Sequence, residues 1–373
     1  MSSRREVIFH IPNLKGGGAE RVAVEIAKHF VSKGLTPVFF VHNDHAAYEL
    51  PREIEVIVAR KPGHIGRTLE LFAILRRRSP VAVLSFLPYA NIISILAGIL
   101  NRNRVRVVVS EHLAVSPSVT IGWKEKLKLA LVRSLYQASH SIIAVSTGVS
   151  HDLRSLLKGR APERIVVIYN PCYVPESART TRSERNVRPK VLAAGRLTDQ
   201  KGFDTLIRAF AVVRRNVTDA TLVISGEGPQ REVLESLVRE LHLSDSVSLP
   251  GFARDINTHY GSANLFVCSS RLEGFGNVIV EALSFGLPVV STRCPHGPEE
   301  ILQDGRFGRL VAVDDESGLA QAIIESLSSP VDEQALIARA KDFSLETIGD
   351  RYLEQVGLLS RFDRIDQTHE AVA

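Results

Sequence analysis

Short apolar segments alternate with amphipathic ones along most of the chain, and this alternation limits the possible folds more than any other feature. In the first half, runs typical of buried strands occupy residues 7–11, 37–41, 55–59, 81–86, 105–110, 141–146 and 165–169. Helical periodicity lies between them, most clearly at 20–32, 67–77 and 125–138. Strands separated by helices in this way pair in parallel, so the pattern predicts a doubly wound α/β sheet.

A polar stretch with prolines at 171–189 interrupts the alternation and is typical of an interdomain linker. Beyond it, strands are predicted at 190–195, 221–225, 247–249, 265–269, 288–291 and 309–313, and helices at 203–215, 229–241, 277–285 and 317–328. We therefore predict two Rossmann-like domains that face a central cleft, at 1–173 and 190–344, with a linker at 174–189. The segment 345–373 begins amphipathic, and we expect it to cross back to the first domain before a loosely ordered tail.

Composition excludes several classes of protein. The three cysteines among 373 residues, Cys172, Cys268 and Cys294, are too few and too widely spaced for a disulfide framework or a zinc site. The first residues lack the apolar core of a signal peptide. An uncharged run at 81–100 has the length of a membrane span, but Pro88 and several polar residues favour a buried strand followed by a helix. We expect a cytoplasmic protein.

Charge is distributed unevenly between the halves. Residues 1–180 hold 25 Lys and Arg against 13 Asp and Glu, or +12, and the remainder holds 21 against 28, or −7, which together give +5. Three basic clusters contribute, namely Arg76-Arg77-Arg78, Arg102/Arg104/Arg106 and Lys124/Lys126/Lys128 beside Trp123. They indicate peripheral contact with an anionic membrane surface at the inner face of the cell membrane, although each alone also fits a solvated helix face. Nucleic-acid binding is not expected, because basic and aromatic residues do not interleave.

In each predicted domain, a glycine-containing turn follows the first strand. Gly16-Gly17-Gly18 opens the first helix, where backbone N–H groups can approach phosphate or sugar oxygens, although a plain tight turn also fits. In the second domain, Arg196 and Lys201 flank a loop that begins at Gly195. A planar guanidinium and an ammonium together suit a diphosphate, and they can neutralise a departing nucleoside diphosphate without a metal ion.

The segment between two carboxylates near residue 277 favours a ligand that carries phosphates and hydroxyls. It reads Glu273-Gly274-Phe275-Gly276-Asn277-Val278-Ile279-Val280-Glu281. Gly274 and Gly276 let backbone N–H groups come close to an anion or a sugar, and the helical pattern that follows favours negative charge at its start. Glu281 is about one turn into that helix. A nucleotide sugar is such a ligand, and Phe252, after a predicted strand, is expected to flank the nucleobase.

Two further segments contain candidate site residues. His112 ends a predicted strand, where it is able to hydrogen-bond a sugar hydroxyl or help polarise the reacting centre, although a lone histidine is often structural. The segment 291–300 joins a strand to a short helix, and we expect it to pack beside the Glu273 loop. His296, within it, is a weaker candidate for lining a substrate pocket.

These motifs, in this order over residues 7–359, resemble the retaining glycosyltransferases of family 4, which have the GT-B fold. The matching pieces are Gly16-Gly17-Gly18-Ala19-Glu20, Glu111-His112, Gly195-Arg196-Leu197 with Lys201-Gly202, and the Glu273…Glu281 pair. The stretches 85–91 and 294–301 resemble bacterial members that add hexoses or N-acetylhexosamines to polyprenyl-diphosphate-linked glycans. Family members often carry Ser or Thr where this chain has His296.

The resemblance implies a role for each motif. Arg196 and Lys201 would hold the donor diphosphate, Glu281 the ribose, and Glu273 with the amides of 274–277 the donor sugar. His112 would lie near the anomeric carbon. The implied catalytic residues are His112, Arg196, Lys201 and Glu273. The implied donor-binding residues are Gly17, Gly18, Gly195, Arg196, Lys201, Phe252, Glu273, Gly274, Phe275, Gly276, Asn277 and Glu281.

The resemblance also implies the reaction. A hexose or N-acetylhexosamine would pass from a nucleotide sugar, a UDP-sugar before a GDP-sugar, to a lipid-linked glycan in bacterial polysaccharide or glycan biosynthesis. Transfer would retain the anomeric configuration by front-face attack, without a metal or other cofactor. Alternatives are a glycosyltransferase with a soluble acceptor, a pyridoxal-phosphate phosphorylase of the same architecture, and a non-catalytic GT-B binding protein.

Overall fold

The computed structural model describes residues 5–44, 50–112, 123–172, 188–253 and 255–358. The chain forms two compact units, one of Met1–Pro171 with Leu345–Ala373 and one of Cys172–Ser344. The predicted linker at 174–189 lies outside the described residues except for Arg188 and Pro189, and the predicted tail from about residue 361 lies outside them entirely.

The first unit contains a parallel sheet of seven strands. Its strands are β1 (Glu6–His10), β2 (Thr36–Val41), β3 (Glu55–Val58), β4 (Ala82–Phe86), β5 (Arg106–Glu111), β6 (Ser141–Ala144) and β7 (Ile165–Val167). Its helices are α1 (Gly18–Ser32), α2 (Gly63–Arg78), α3 (Pro88–Leu100), α4 (Trp123–Leu135), α5 (Thr147–Leu156) and α13 (Leu345–Gln355). The strand order β3-β2-β1-β4-β5-β6-β7 reverses direction between β1 and β4. In such sheets ligands bind at the carboxyl ends of the strands near this reversal.

Alternate residues of β1 pack on opposite helix layers of the first unit. Phe9 belongs to the core beneath α1 and α13, and its ring meets that of Phe30 edge-on at 5.3 Å. Ile8 belongs to the core beneath α2 and α3. Both strand faces are therefore buried, which explains why the strand reads as a continuous apolar run.

The second unit repeats this architecture with six parallel strands. Its strands are β8 (Lys190–Ala194), β9 (Thr221–Ser225), β10 (Val247–Gly251), β11 (Leu265–Cys268), β12 (Val289–Thr292) and β13 (Arg309–Val311). Its helices are α6 (Phe203–Asn216), α7 (Arg231–Glu240), α8 (Asn257–Ser262), α9 (Asn277–Ser284), α10 (Pro298–Ile301), α11 (Glu316–Ser328) and α12 (Glu333–Lys341). The order β10-β9-β8-β11-β12-β13 reverses between β8 and β11.

Helix α13 follows the second unit in sequence but packs on α1 of the first unit. Its Asp350 accepts a hydrogen bond from His29 of α1 at 2.8 Å, and Arg351 donates to the carbonyl of Val167 at 2.5 Å. Ile348 and Tyr352 are buried in the first unit's core. The first unit is therefore built from two separate parts of the chain.

The two parallel sheets confirm the predicted pair of Rossmann-like α/β folds. The uncharged run at 81–100 divides into β4 and α3, as predicted, and Pro88 occupies the first turn of α3, where its missing N–H costs nothing. None of the helices in the described ranges is long and apolar enough to cross a membrane.

Candidate functional site

The reversal point of the second sheet brings two predicted motifs together. The loop 195–202 follows β8, and the loop 269–276 follows the neighbouring strand β11. Both loops leave the carboxyl edge of the sheet, which is the edge where open α/β sheets bind ligands. Sequence position had separated these loops by about seventy residues, and the parallel pairing of β8 with β11 makes them neighbours.

An ion pair between Lys201 and Glu273 joins the two loops. Lys201 Nζ lies 2.5 Å from Glu273 Oε1, and the two side chains are 20% and 9% exposed. Burial of the ammonium opposes its charge, but the Glu273 carboxylate outweighs this effect and raises the pKa of Lys201 above its ordinary value. An ammonium has three N–H donors, so this bond leaves Lys201 able to bind a phosphate oxygen as well.

Ser270 orients the same carboxylate. Its hydroxyl donates to Glu273 Oε1 at 2.7 Å, and its carbonyl accepts from Thr292 at 2.5 Å. Lys201 and Ser270 therefore both donate to Oε1, and Oε2 is left to accept hydrogen bonds from other groups. Sequence analysis missed Ser270, because a serine three residues before a carboxylate has no distinctive pattern.

Gly202 allows the two loops to touch. Its φ of +60° is left-handed, and a Cβ atom added there would lie 2.2 Å from the carbonyl oxygen of Ser269. Ser269 also donates from its hydroxyl to the carbonyl of Lys201 at 2.9 Å. A side chain at 202 would both strain the backbone and force the loops apart.

Arg271, in the loop 269–276, forms a second set of ion pairs outside the Lys201–Glu273 pair. Its guanidinium forms two bonds with Asp204 of α6, at 2.9 and 2.8 Å, and a third with Asp314 at 2.8 Å. These carboxylates raise the pKa of Arg271, chiefly through the hydrogen bonds that the guanidinium donates to Asp204. Arg271 is thus a structural cation, whereas Lys201 faces the carboxylate predicted to contact the donor sugar.

Helix α9 begins beside this ion pair. Gly276 is its N-cap residue, with a left-handed φ of 103° and no side-chain hydrogen bond to the first turn. Glu281 lies farther along α9, 8% exposed, and accepts a hydrogen bond from Tyr260 of α8 at 2.8 Å. Sequence analysis missed Tyr260, since α8 has only six residues and no clear periodicity.

The predicted packing of 291–300 beside the Glu273 loop is present in the structure. The backbone of Glu273 donates to the carbonyl of Pro295 at 2.7 Å, and that of His296 donates to the carbonyl of Glu273 at 2.9 Å. The ring of Phe275 is buried and packs edge-on against Phe343 at 5.4 Å.

The remaining predicted residues of the second unit lie around the same edge. Gly195 directly follows β8, and Lys201 methylenes lie 3.4 and 3.5 Å from where its Cβ atom would be. Arg196 is exposed, and within the described ranges it forms no ion pair. Phe252 directly follows β10 and is 65% exposed.

The first unit contains the other predicted residues. Gly17 and Gly18 form the start of α1, where Glu20 lies in the first turn. His112 follows β5, 8% exposed, and its Nε2 lies 3.0 Å from the hydroxyl of Ser110. Its Nδ1 is buried without a hydrogen-bond partner among the described residues. Burial lowers the pKa of His112 to about 3, so the imidazole is uncharged near neutral pH.

A buried polar network lies beside His112. Glu111 accepts hydrogen bonds from Tyr136 and from Asn91, the latter at 3.0 Å, and Ser85 donates to Asn91 at 2.6 Å. Burial raises the pKa of Glu111 to about 7, although both of these donors oppose the shift. The 85–91 motif therefore holds Glu111 in the core of the first unit.

Comparison with known protein families finds a match in each of the two units. A family described as "Glycosyltransferase Family 4" matches residues 16–173, and one described as "Glycosyl transferases group 1" matches residues 188–329. Together they cover every strand of the two sheets except β1, and they end before helices α12 and α13.

Two curated proteins are similar to this chain. An N-acetylgalactosamine-N,N'-diacetylbacillosaminyl-diphospho-undecaprenol 4-alpha-N-acetylgalactosaminyltransferase from Campylobacter jejuni is 30% identical over 345 residues, which is 89% of this chain and 92% of that protein. A lipopolysaccharide core biosynthesis glycosyltransferase, LpsE, from Rhizobium meliloti is 36% identical over 171 residues, 44% of this chain and 49% of that protein.

Solved structures share the fold. HepE from Anabaena, in complex with UDP-glucose, has a TM-score of 0.79 at 22% identity and covers 95% of this chain and all of its own, 100%. A sucrose-phosphate synthase from Thermosynechococcus elongatus has a TM-score of 0.79 at 19% identity, over 99% of this chain and 100% of its own. At these identities the likeness shows the GT-B fold alone.

Proposed function

The chain belongs to glycosyltransferase family 4, and on this basis we propose that it moves a hexose or N-acetylhexosamine from a UDP-sugar to a lipid-linked glycan, with retention of the anomeric configuration. One observation supports the donor half of this proposal most directly. Lys201 and Glu273 form a largely buried ion pair at the reversal point of the second sheet, beside the start of α9, which has glycine at its N-cap.

This arrangement suits a nucleoside diphosphate as leaving group. Cleavage of the glycosidic bond to a diphosphate places negative charge on the departing phosphate. Fixed cations stabilise such charge as it develops. Lys201 and Arg196 supply two positive charges, and the first amides of α9 add partial positive charge. Because fixed cations can stabilise a leaving diphosphate in place of a metal ion, we propose that transfer requires no metal ion.

The donor sugar and the ribose would be held by separate carboxylates. Glu273 directs Oε2 away from Lys201 and Ser270, so that oxygen is available to sugar hydroxyls. Glu281, oriented by Tyr260, would accept from the ribose hydroxyls. We favour UDP as the nucleotide, and HepE, with the same fold, binds UDP-glucose.

A lipid-diphosphate-linked glycan is the acceptor that the relatives support. The Campylobacter relative transfers to a diphospho-undecaprenol-linked sugar, and LpsE acts in lipopolysaccharide core biosynthesis. The basic first half of the chain suits an acceptor that carries phosphates at an anionic membrane surface.

Nucleotide-sugar binding and transfer test the function directly. In a thermal-shift screen, UDP-sugars are expected to raise the melting temperature more than GDP- or ADP-sugars. The sugar that gives the largest shift is then offered with undecaprenyl-diphosphate-linked glycans. NMR of the product is expected to show the anomeric configuration of the donor, and EDTA is expected to leave the rate unchanged. No stabilisation by any nucleotide sugar would refute the proposal, and transfer only to soluble sugars would refute the lipid-linked acceptor.

One face of the first unit has the surface for peripheral membrane contact. Helices α2, α3 and α4 pack side by side in one layer. This layer presents most of the large exposed apolar side chains of the described residues, namely Ile65, Leu69, Ile99, Leu100, Leu127 and Leu131. Exposed arginines and lysines of the predicted basic clusters lie on these helices or directly after them, among them Arg76, Arg102 and Lys126. The side chains of Trp123 and Lys124 lie outside the described residues.

Acidic substitutions on α4 are expected to release the protein from anionic vesicles. Leu127 and Leu131 are four residues apart and therefore share a helix face. Changing both to glutamate is expected to weaken binding to phosphatidylglycerol vesicles by about ten-fold or more, since apolar insertion and lipid attraction are both lost. Co-sedimentation measures the bound fraction. Val233→Glu, at an exposed apolar position on α7, is the control and should bind normally.

A further inference from the structure

Four aromatic rings form a continuous cluster at the carboxyl edge of the first sheet. His10 is the last residue of β1, His42 directly follows β2, Tyr89 lies in the first turn of α3, and His64 lies in the first turn of α2. The centroid of the Tyr89 ring lies 4.3 Å from that of His64 and 5.3 Å from that of His42. His42 and His10 are 5.1 Å apart. These four residues together with Arg67 of α2 are called the histidine–tyrosine cluster below.

The inner end of the cluster is fixed by hydrogen bonds. Ser94 of α3 lies 2.7 Å from His10 Nδ1, and His10 Nε2 lies 2.9 Å from His42 Nε2. Two facing Nε2 atoms can share only one proton, so the pair is held in complementary tautomers. Burial, and then Arg67 and His64, lower the pKa of His42 to about 4. Both inner histidines are therefore uncharged near neutral pH.

The outer end of the cluster is accessible and has an unused donor. His64 is exposed, while Arg67 and Tyr89 are half-buried. Arg67 Nη1 donates to the Tyr89 hydroxyl at 2.6 Å, which fixes the guanidinium beside the ring. The Arg67 Nε–H group is buried and has no acceptor among the described residues. A buried N–H group without an acceptor is costly. A small shift of the half-buried guanidinium would bring this group to a ligand oxygen and relieve that cost.

These features match a sugar ring better than a phosphate group. Phosphate sites gather several cations, whereas the two inner histidines here are uncharged and Arg67 is the cation of the cluster. Aromatic faces with a few fixed hydrogen-bonding groups suit a ligand that has both apolar and polar sides. A pyranose ring has C–H groups on one face and hydroxyls around its rim.

We propose that the histidine–tyrosine cluster is the subsite for a sugar residue of the acceptor glycan. The sugar packs on the rings of Tyr89 and His64, and one of its oxygens accepts from Arg67 Nε. His42, held by His10, supplies a further uncharged polar contact. This assignment rests on the proposed glycosyltransferase function and adds the chemistry by which the first unit recognises its substrate.

Direct binding of simple glycosides tests the subsite. Saturation-transfer-difference NMR is recorded on the full chain with the methyl α-glycosides of glucose, galactose, N-acetylglucosamine and N-acetylgalactosamine. At least one is expected to bind, and Tyr89→Ala and His64→Ala are each expected to weaken it by about five-fold or more, as loss of a stacking face implies. His151→Ala, which removes an exposed histidine on α5, should leave the signal unchanged.

Three further readouts separate the possible outcomes. In transfer assays, Tyr89→Ala is expected to raise the acceptor KM and leave the donor KM unchanged. Glycoside binding that is insensitive to both substitutions would overturn the subsite, and so would pyrophosphate that shifts the His42 resonances when no glycoside does. UDP thermal shifts of the same variants report on folding and donor binding. If no nucleotide sugar stabilises the unmodified chain, the proposed function is wrong, whatever the glycosides do.

Discussion

Lys201→Ala is expected to lower kcat by about 10²- to 10³-fold, the usual cost of removing one fixed group that stabilises developing charge. In the structure the Lys201 side chain is only 20% exposed, and its ammonium is paired with Glu273 next to the start of α9. Its interaction with a departing diphosphate strengthens as the glycosidic bond breaks. The loss should therefore fall on kcat more than on the donor KM. Steady-state kinetics with saturating acceptor measure both.

Two controls distinguish a role of Lys201 in the reaction from a general loss of charge or of stability. Lys190→Ala removes a lysine from the opposite end of β8, where it binds Ser262, and should leave turnover near normal. Lys201→Ala leaves the Glu273 carboxylate without its cation, so the melting temperature and its shift with UDP must be recorded for the variant. A folded Lys201→Ala protein with unchanged kcat would remove Lys201 from the reaction.

Glu281→Ala is expected to weaken UDP binding by about 10- to 100-fold, the range for loss of hydrogen bonds to a charged group. Glu281 is buried on α9 and positioned by Tyr260, which is the setting expected of a carboxylate that accepts from ribose hydroxyls. The preference among UDP-sugars should change little, because the sugar is assigned to Glu273. Isothermal titration with UDP and with two UDP-sugars measures both effects.

Tyr260→Phe measures how much the hydrogen bond from Tyr260 to Glu281 contributes to UDP binding. This variant keeps the ring, which stacks on Phe285 at 5.4 Å, and removes only the hydroxyl that donates to Glu281. We expect a smaller loss of UDP affinity than in Glu281→Ala. Normal UDP affinity in a folded Glu281→Ala protein would show that the ribose is bound elsewhere.

The repeated alternation of strands and helices was sufficient to predict both sheets. Parallel strands buried on both faces leave continuous apolar runs, and thus β1, β4 and β5 were found within one or two residues of their ends. Short helices escaped prediction because they have too few turns to show a period. Helix α8 is an example, and α12 was missed despite its nine residues, whereas the short helix at the end of 291–300, α10, was predicted.

The candidate site was predicted as separate loops, and its internal contacts were not. Arg196, Lys201, Glu273 and Glu281 could be named because glycine turns at strand ends reveal where a sheet binds ligands. The Lys201–Glu273 pair depends on the pairing of β8 with β11 across 72 residues of sequence, which no local pattern specifies. The roles assigned to these residues stay predictions until the variants are measured.

The histidine–tyrosine cluster shows a different limit of sequence analysis. His10 and His42 are single histidines at the ends of apolar strands, a position that usually indicates a satisfied core residue. Tyr89 and Arg67, which lie near them, belong to α3 and α2, and these helices follow other strands. Only the three-dimensional arrangement shows that these residues share one edge of the sheet.

The position of α13 has a consequence for synthesis of the protein on the ribosome. Ile348, Tyr352, Leu353 and Val356 belong to the core of the first unit, yet they are translated after every strand of the second unit. Strands β8–β13 therefore emerge while the earlier unit still exposes the apolar surface that α13 covers. Domains generally fold as they emerge, N-terminal first. Here the unit that is translated first is completed last.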